Sequence, residues 1–247
     1  MDTKAHARGI FVTGTDTGVG KTVIACALAT WCRRRGHDVG VMKPVATGGQ
    51  RLIDQGRARW VSDDAIQLAR AAASRDPWAF INPVCFREPI APWTAARRAR
   101  VSIHLSMILA AFRALQARHD VMIVEGVGGL LVPLSARTTI ADVAAHLRLP
   151  LLIVAKPGLG TLNHTLLTLH YAKQRGLPVL GVVLNESQPS PRDAMSRLAA
   201  RTNPDILARA GKVSVLGPLP FRSKSEHPAR WETTLGQWVA QQMKGVF

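Results

Sequence analysis

The run Gly14-Thr15-Asp16-Thr17-Gly18-Val19-Gly20-Lys21-Thr22 constrains this chain more than any other stretch. A short apolar run, Gly9-Ile10-Phe11-Val12-Thr13, precedes it, and a helix-forming run, Val23 to Ala29, follows. Glycines let the backbone curl so that several N–H groups converge on one anion. The helix behind the loop adds free N–H groups and the positive end of its dipole. A strand, loop and helix of this kind hold phosphate, with the Lys21 ammonium on the β/γ-phosphates and the Thr22 hydroxyl on Mg²⁺. The common pattern is Gly-x-x-x-x-Gly-Lys-Thr. Here Thr15 stands at the first glycine position and Gly14 lies one residue further back, so the loop is stretched.

The rest of the chain continues the same alternation. Apolar runs at Val39–Met42, Val121–Val124, Leu151–Ala155, Val179–Leu184 and Val213–Leu216 read as strands. Several are continuously apolar, as parallel strands covered on both faces are. Between them, Ser102 is expected to cap a helix through Ile103 and Leu115, and Ser62 one through Ile66 and Ala69. A further helix, Leu162 to Gln174, should stop at Gly176 with Pro178 beyond, and a last one should span Trp231 to Gln242. The predicted class is α/β, a P-loop NTPase-like open, mostly parallel β-sheet flanked by helices on both faces. The 247 residues suffice to bury one core, and nothing divides them, so residues 1–247 are expected to form one domain.

Charge and cysteines narrow the partners. The formal net charge is +16, which permits attraction to nucleic acid, anionic membrane or acidic ligands. Much of the excess is arginine, at Arg51, Arg57 and Arg59 and at Arg87, Arg97, Arg98 and Arg100. Tyr and Phe are not interleaved with them as a base-stacking platform requires. A solvated basic surface is therefore expected, with no nucleic-acid partner. Arg33 and Arg34 stand where cations favour a helix end. No apolar run is long enough to span a bilayer, and Met1 to Arg8 is polar. The last helix has basic neighbours only at Arg230 and Lys244, unlike a basic membrane-surface helix. Cys26, Cys32 and Cys85 lack Cys-x-x-Cys spacing and read as reduced thiols of a cytoplasmic protein.

In an open parallel sheet, ligands gather at the carboxyl ends of the strands. Lys43 follows the second strand and leads into Pro44-Val45-Ala46-Thr47-Gly48-Gly49, on the side of the phosphate loop. Glu125 ends the third strand ahead of Gly126, Gly128 and Gly129, a Walker B-like place for a carboxylate near Mg²⁺. Asp64 lies just inside the helix that Ser62 caps, where an acid serves either the helix dipole or a metal. Asn185 follows the fifth strand and could offer its amide to a purine or simply favour a turn. The histidines have no metal-ligand spacing, and no Ser/His/Asp set is suggested.

In order along the chain stand Phe11 to Thr22, Lys43-Pro44-Val45-Ala46-Thr47-Gly48, Asp64-Ala65, and Phe86-Arg87-Glu88-Pro89-Ile90-Ala91-Pro92. Val124 to Gly129, Gly158 to His164, and Val183-Leu184-Asn185 follow. This series resembles the dethiobiotin synthetases, ATP-dependent enzymes that close the ureido ring in biotin synthesis. The stretched loop is itself a mark of that family. The resemblance implies that Gly18, Val19, Gly20, Lys21, Thr22 and Val23 bind ATP, with Asp64, Glu125, Gly126 and Gly128. It implies that Thr22, Asp64 and Glu125 hold Mg²⁺, and that Asn185 reads adenine beside Leu219 and Pro220. Lys43 and Lys21 would be catalytic. Thr15, Thr47 and Gly128 would meet the diamine, 7,8-diaminononanoate, which captures CO₂ as a carbamate. A homodimer is implied as well, in which Gly160, Thr161 and Asn163 of the partner subunit receive the diamine's carboxylate.

Three positions depart from the family pattern. Gly18 stands where many relatives carry an acid, and Ala91 and Trp93 where a serine and a histidine are common. A second class with the same fold, the chromosome-partitioning and septum-positioning ATPases, would suit the basic charge. Those proteins carry an extra lysine early in the loop, where this chain has Thr15-Asp16-Thr17. An amidating relative acting on cobyrinic acid would need an attached glutaminase domain, for which no room remains.

Overall fold

A computed structural model describes residues 8–189, 194–221 and 229–243. The polar segment before Arg8, Lys244 and the side chain of Arg230 lie outside the described residues. Strand β1 (Gly9–Gly14) feeds helix α1 (Lys21–Arg34), and β2 (Val39–Met42) and β3 (Val45–Ala46) follow. A hairpin of β4 (Gln50–Asp54) and β5 (Arg57–Val61) leads to α2 (Asp63–Ala72). Next come α3 (Trp78–Ile81), β6 (Val84–Cys85), α4 (Pro92–Arg98), α5 (Leu105–Gln116) and β7 (Val121–Gly129). Helix α6 (Ile140–Leu147), β8 (Leu151–Ala155), α7 (Thr161–Gln174) and β9 (Val179–Asn185) continue the alternation. Helix α8 (Ala194–Gly211), β10 (Val215–Leu219) and α9 (Ala229–Gln242) complete it.

Six strands form the central sheet in the order β10-β9-β8-β1-β7-β2, and every pair is parallel. Alternation along the strands divides the core. Ile10 and Val12 turn to the face covered by α1, α2 and α9, with Leu28, Leu68 and Leu235. Phe11, Met122 and Val124 turn to the face covered by α5 and α6, with Phe112 and Val143. Leu169 and Leu207, from α7 and α8, cover Ile153 and Val182. Strands buried on both faces are the reason that these runs are apolar without a break.

The expected strands and helices are present, with three shifts. Ser102 does not cap α5: His104 occupies that position and makes no side-chain cap. Ile103 and Ile108 then hold the two places of a hydrophobic staple, and both belong to the second core cluster. Burial of that pair outweighs a serine cap. The last strand begins at Val215 rather than Val213 and runs to Leu219. Strand β7 continues through Gly126 and Gly128 to Gly129 instead of turning after Glu125. Arg51 and Arg57 lie exposed on the hairpin, and Arg87, Arg97, Arg98 and Arg100 are exposed too, as a solvated basic surface requires.

Candidate active site

The stretched loop closes over the carboxyl end of β1. Its Thr15 N–H donates to the Val154 carbonyl at 3.0 Å, anchoring the loop to the neighbouring strand β8. Gly20, the residue ahead of α1, has φ +94°, a conformation that a side chain resists. Val19 is buried beneath the loop. Lys21 opens α1 and turns back along the loop, where its Nζ donates to the Asp16 carbonyl at 2.8 Å. Burial, reinforced by the nearby Lys43 charge, lowers the Lys21 ammonium to about 8.

Register brings the charged residues together. Met42 pairs with Val124 across β2 and β7, so the next residues along, Lys43 and Glu125, emerge side by side. Lys43 Nζ donates to Glu125 Oε1 at 2.6 Å and to the Gly126 carbonyl at 3.3 Å. It also lies 2.7 Å from Asp64 Oδ2. Asp64 sits in the first turn of α2, where Ser62 Oγ accepts from the Ala65 N–H at 3.2 Å. Thr22 Oγ1 completes the group, 3.0 Å from Asp64 Oδ1 and 2.9 Å from Glu125 Oε1.

The electrostatics follow from burial. Lys43 and Glu125 are 2% and 0% exposed. Burial acts to lower the Lys43 ammonium, and the Glu125 and Asp64 charges outweigh it, so the ammonium is held above its ordinary value. Burial opposes the Asp64 carboxylate as well, but Lys43 and the Thr22 hydroxyl bring its carboxyl below the usual range. Glu125 is raised by burial and by the Asp64 charge, which Lys43 only partly offsets. Its second oxygen, Oε2, is buried with no hydrogen-bond partner. An unpartnered buried carboxylate oxygen beside a hydroxyl and a second carboxylate is a donor set that fits a hard cation such as Mg²⁺.

A cavity of about 490 Å³ runs over this group. Gly18, Gly20, Lys21, Thr22 and Val23 form one wall, and Lys43, Thr47, Asp64, Glu125 and Gly128 form another. Asn185 and Pro220 close the far end. Asn185 Nδ2 also donates to the Val19 carbonyl at 3.0 Å, tying the end of β9 to the loop. Leu219 is buried one residue behind Pro220. Thr15 does not line this cavity, nor do Gly160, Thr161 and Asn163, at the start of α7. Thr17, Gln67 and Trp231 do line it and were not singled out by the sequence. Gln67 follows Asp64 at helical spacing and so was legible; Trp231 comes from the distant α9 and was not. Ala91 stands at the N-cap of α4, with Trp93 in its first turn.

Comparisons with known proteins bear on the same arrangement. A family model described as an AAA domain matches residues 8–229. An ATP-dependent dethiobiotin synthetase BioD of Anaeromyxobacter dehalogenans is 44% identical over 223 residues, covering 90% of this chain and 94% of that protein. The protein of the same name from Bacillus velezensis is 38% identical over 213 residues, covering 86% of each. Among solved structures, the cell division ATPase MinD of Pyrococcus furiosus superposes with a TM-score of 0.54 at 17% identity, covering 96% of this chain and 99% of that one. A ParA family ATPase from Chlorobium tepidum does so with a TM-score of 0.51 at 16% identity, covering 96% and 92%. At such identities these two likenesses speak for the fold alone.

Proposed function

The chain belongs to the ATP-dependent dethiobiotin synthetase family, and we propose that it carboxylates and ring-closes 7,8-diaminononanoate with CO₂. The products are dethiobiotin, ADP and phosphate. One observation carries the reading at the level of residues: the Lys43 ammonium stands beside the phosphate loop, between the Glu125 and Asp64 carboxylates.

An amine of the substrate adds to CO₂ and gives a carbamate, a poor electrophile. Transfer of the γ-phosphoryl group to a carbamate oxygen releases ADP and makes that oxygen a leaving group. The second amine then attacks the carbonyl carbon, phosphate departs, and the cyclic urea closes. No side-chain nucleophile is required. Lys21 would hold the β- and γ-phosphates, and Lys43 would hold the carbamate and the phosphoryl oxygens as charge moves between them. Thr22, Asp64 and Glu125 would hold Mg²⁺, whose bound charge neutralises the triphosphate. Asn185 would meet the adenine beside the Leu219-Pro220 segment, and Thr47, which lines the cavity as Thr15 does not, would meet the diamine. With Lys43 and Glu125 almost wholly buried, their charges act with little screening by water.

Gly160, Thr161 and Asn163 would act on a neighbouring subunit of a homodimer, since they lie outside the cavity of their own chain. A switch ATPase acting on DNA or membrane is not favoured. The curated relatives are dethiobiotin synthetases, and Thr15-Asp16-Thr17 stands in place of that class's extra lysine. No helix among the described residues is long and apolar enough to cross a membrane. The test is direct. Purified protein with ATP, Mg²⁺, bicarbonate and the diamine should form dethiobiotin, read by mass spectrometry. Absence of product at high enzyme concentration would overturn the reading.

A further inference from the structure

Asn82 follows α3 and is 0% exposed. Its carboxamide is engaged on three sides. Oδ1 accepts from the Ser62 N–H at 3.0 Å. Nδ2 donates to the Lys43 carbonyl at 2.7 Å and to the Val84 carbonyl at 3.3 Å. Ser62 is the N-cap of the helix whose first turn carries Asp64, and Lys43 carries the ammonium that meets Asp64 and Glu125. One buried amide therefore joins the backbones that present the two sides of the site. The Lys43 N–H, in turn, donates to the Ile81 carbonyl at 2.7 Å, so the end of α3 grips Lys43 from both directions.

We infer that Asn82 is a positioning residue for catalysis: it sets the distance between the Lys43 ammonium and the Asp64 carboxylate through their backbones. Only a carboxamide supplies one acceptor and two donors in a single plane. An aspartate at this place would keep the acceptor for Ser62 but turn its other oxygen on two carbonyls. An alanine would leave the Ser62 N–H and both carbonyls buried without Asn82. The phosphate loop is anchored elsewhere, on Val154 and Asn185, so loss of the tie should spare binding of metal-free nucleotide and damage the chemical step.

The inference rests on the ligase reading, and the experiment separates the two. Asn82→Ala is compared with Ile81→Ala, which empties a buried position on the same short helix and leaves the amide in place. Both variants are assayed below their unfolding temperatures. Asn82→Ala should lose kcat by roughly ten- to a hundredfold, the scale of lost supporting hydrogen bonds at reactive sites. Its Kd for ATP in EDTA, where the Asp64 metal site plays no part, should stay within about twofold of the wild type, since the phosphate-loop contacts are untouched. Ile81→Ala should retain most of its kcat at a similar loss of Tm. Equal kcat losses in the two variants, or a parallel loss of this metal-free ATP affinity in Asn82→Ala, would overturn the inference. Should Asn82→Ala not fold, Asn82→Asp takes its place. A protonated aspartic acid can donate to the Lys43 carbonyl, so its activity relative to wild type should rise as pH falls; a flat ratio would overturn the inference. A wild type that forms no dethiobiotin would instead sink the ligase reading itself.

Discussion

Lys43 Nζ stands 2.6 Å from Glu125 Oε1 and 2.7 Å from Asp64 Oδ2, so one ammonium bridges the two carboxylates of the site. A buried cation between two anions is held by their charges, and removing it leaves the buried Glu125 carboxylate without its ion-pair partner. Breaking a buried pair this way costs about 3–5 kcal/mol. Lys43→Met should therefore be destabilised by that order at neutral pH in Mg²⁺-free buffer, as read by urea denaturation. The stranded Glu125 carboxyl then has a folded pKa raised above its unfolded one, so the folded variant binds more protons than the unfolded chain. The deficit should shrink as pH falls. Added Mg²⁺ should recover part of it. A deficit unchanged by both pH and Mg²⁺ would speak against the bridging role.

Thr22 has one hydroxyl proton and two carboxylate neighbours, Asp64 Oδ1 at 3.0 Å and Glu125 Oε1 at 2.9 Å. The oxygen thus stands between the phosphate loop and the acids. Thr22→Val keeps the shape and removes the oxygen. The Mg²⁺ concentration for half-maximal turnover should rise by at least about tenfold. Binding of ATP in EDTA, followed by calorimetry, should change little. An unaltered Mg²⁺ requirement would remove Thr22 from the metal site.

Gly20 carries two separate constraints. Its φ is +94°, and a Cβ there would come within 2.1 Å of Asn185 Nδ2. The backbone conformation alone costs a non-glycine residue about 1–2 kcal/mol. The contact would also expel the Asn185 amide from the Val19 carbonyl. Gly20→Ala should weaken ATP binding by more than about tenfold, the factor that 1.4 kcal/mol represents. Adding Asn185→Ala should relieve the contact and leave the backbone cost. A double variant that binds ATP like Asn185→Ala alone would show that the conformation is tolerated.

Much of this site was legible because its residues end apolar runs. Lys43, Glu125 and Asn185 are the first polar groups after apolar runs, and the parallel sheet delivers all three to one edge. What escaped was local chemistry that tertiary context overrides. The β4–β5 hairpin turns on Gln55 and Gly56, with φ of +50° and +77°, a pair that does not announce a turn as Asn-Gly would. Its strands are too polar to stand out. Helix α8 contains Pro204, which reads as a break in sequence. Asn82 carries no motif in the sequence, standing simply ahead of Pro83, and its three partners lie on separate segments that only the fold assembles.

Helix α9 docks on α1 where Gly236 meets the Trp31 ring. A Cβ on Gly236 would come within 2.2 Å of the indole. In an exposed helix, Gly→Ala gains about 1 kcal/mol. Overpacking a core costs about 1–3 kcal/mol, and here the neighbour is a rigid ring, so the steric loss should prevail. Gly236→Ala should lower the urea midpoint, and Trp31→Leu in the same chain should recover part of the loss. A stabilised Gly236→Ala would mean that α9 shifts freely on α1.

Asp142 ties α6 to α7. Its Oδ2 accepts from the Thr139 N–H at 2.7 Å and from Thr139 Oγ1 at 2.9 Å, and its Oδ1 pairs with Arg175. Partial burial acts to raise this carboxyl, but the Thr139 and Arg175 contacts outweigh it and lower it from the ordinary 3.8. The sign follows. The unfolded chain takes up the proton first, so the stabilisation is complete above the unfolded value and fades as pH falls through the lower folded one. Asp142→Ala removes the capping box of α6, an effect of about 1 kcal/mol. At neutral pH the variant should be less stable than the wild type by that order, from urea midpoints. Below about pH 4, where the unfolded wild-type chain begins to take up this proton, the gap should narrow. A gap of constant size between pH 7 and pH 3 would show that the pair holds through shape rather than charge.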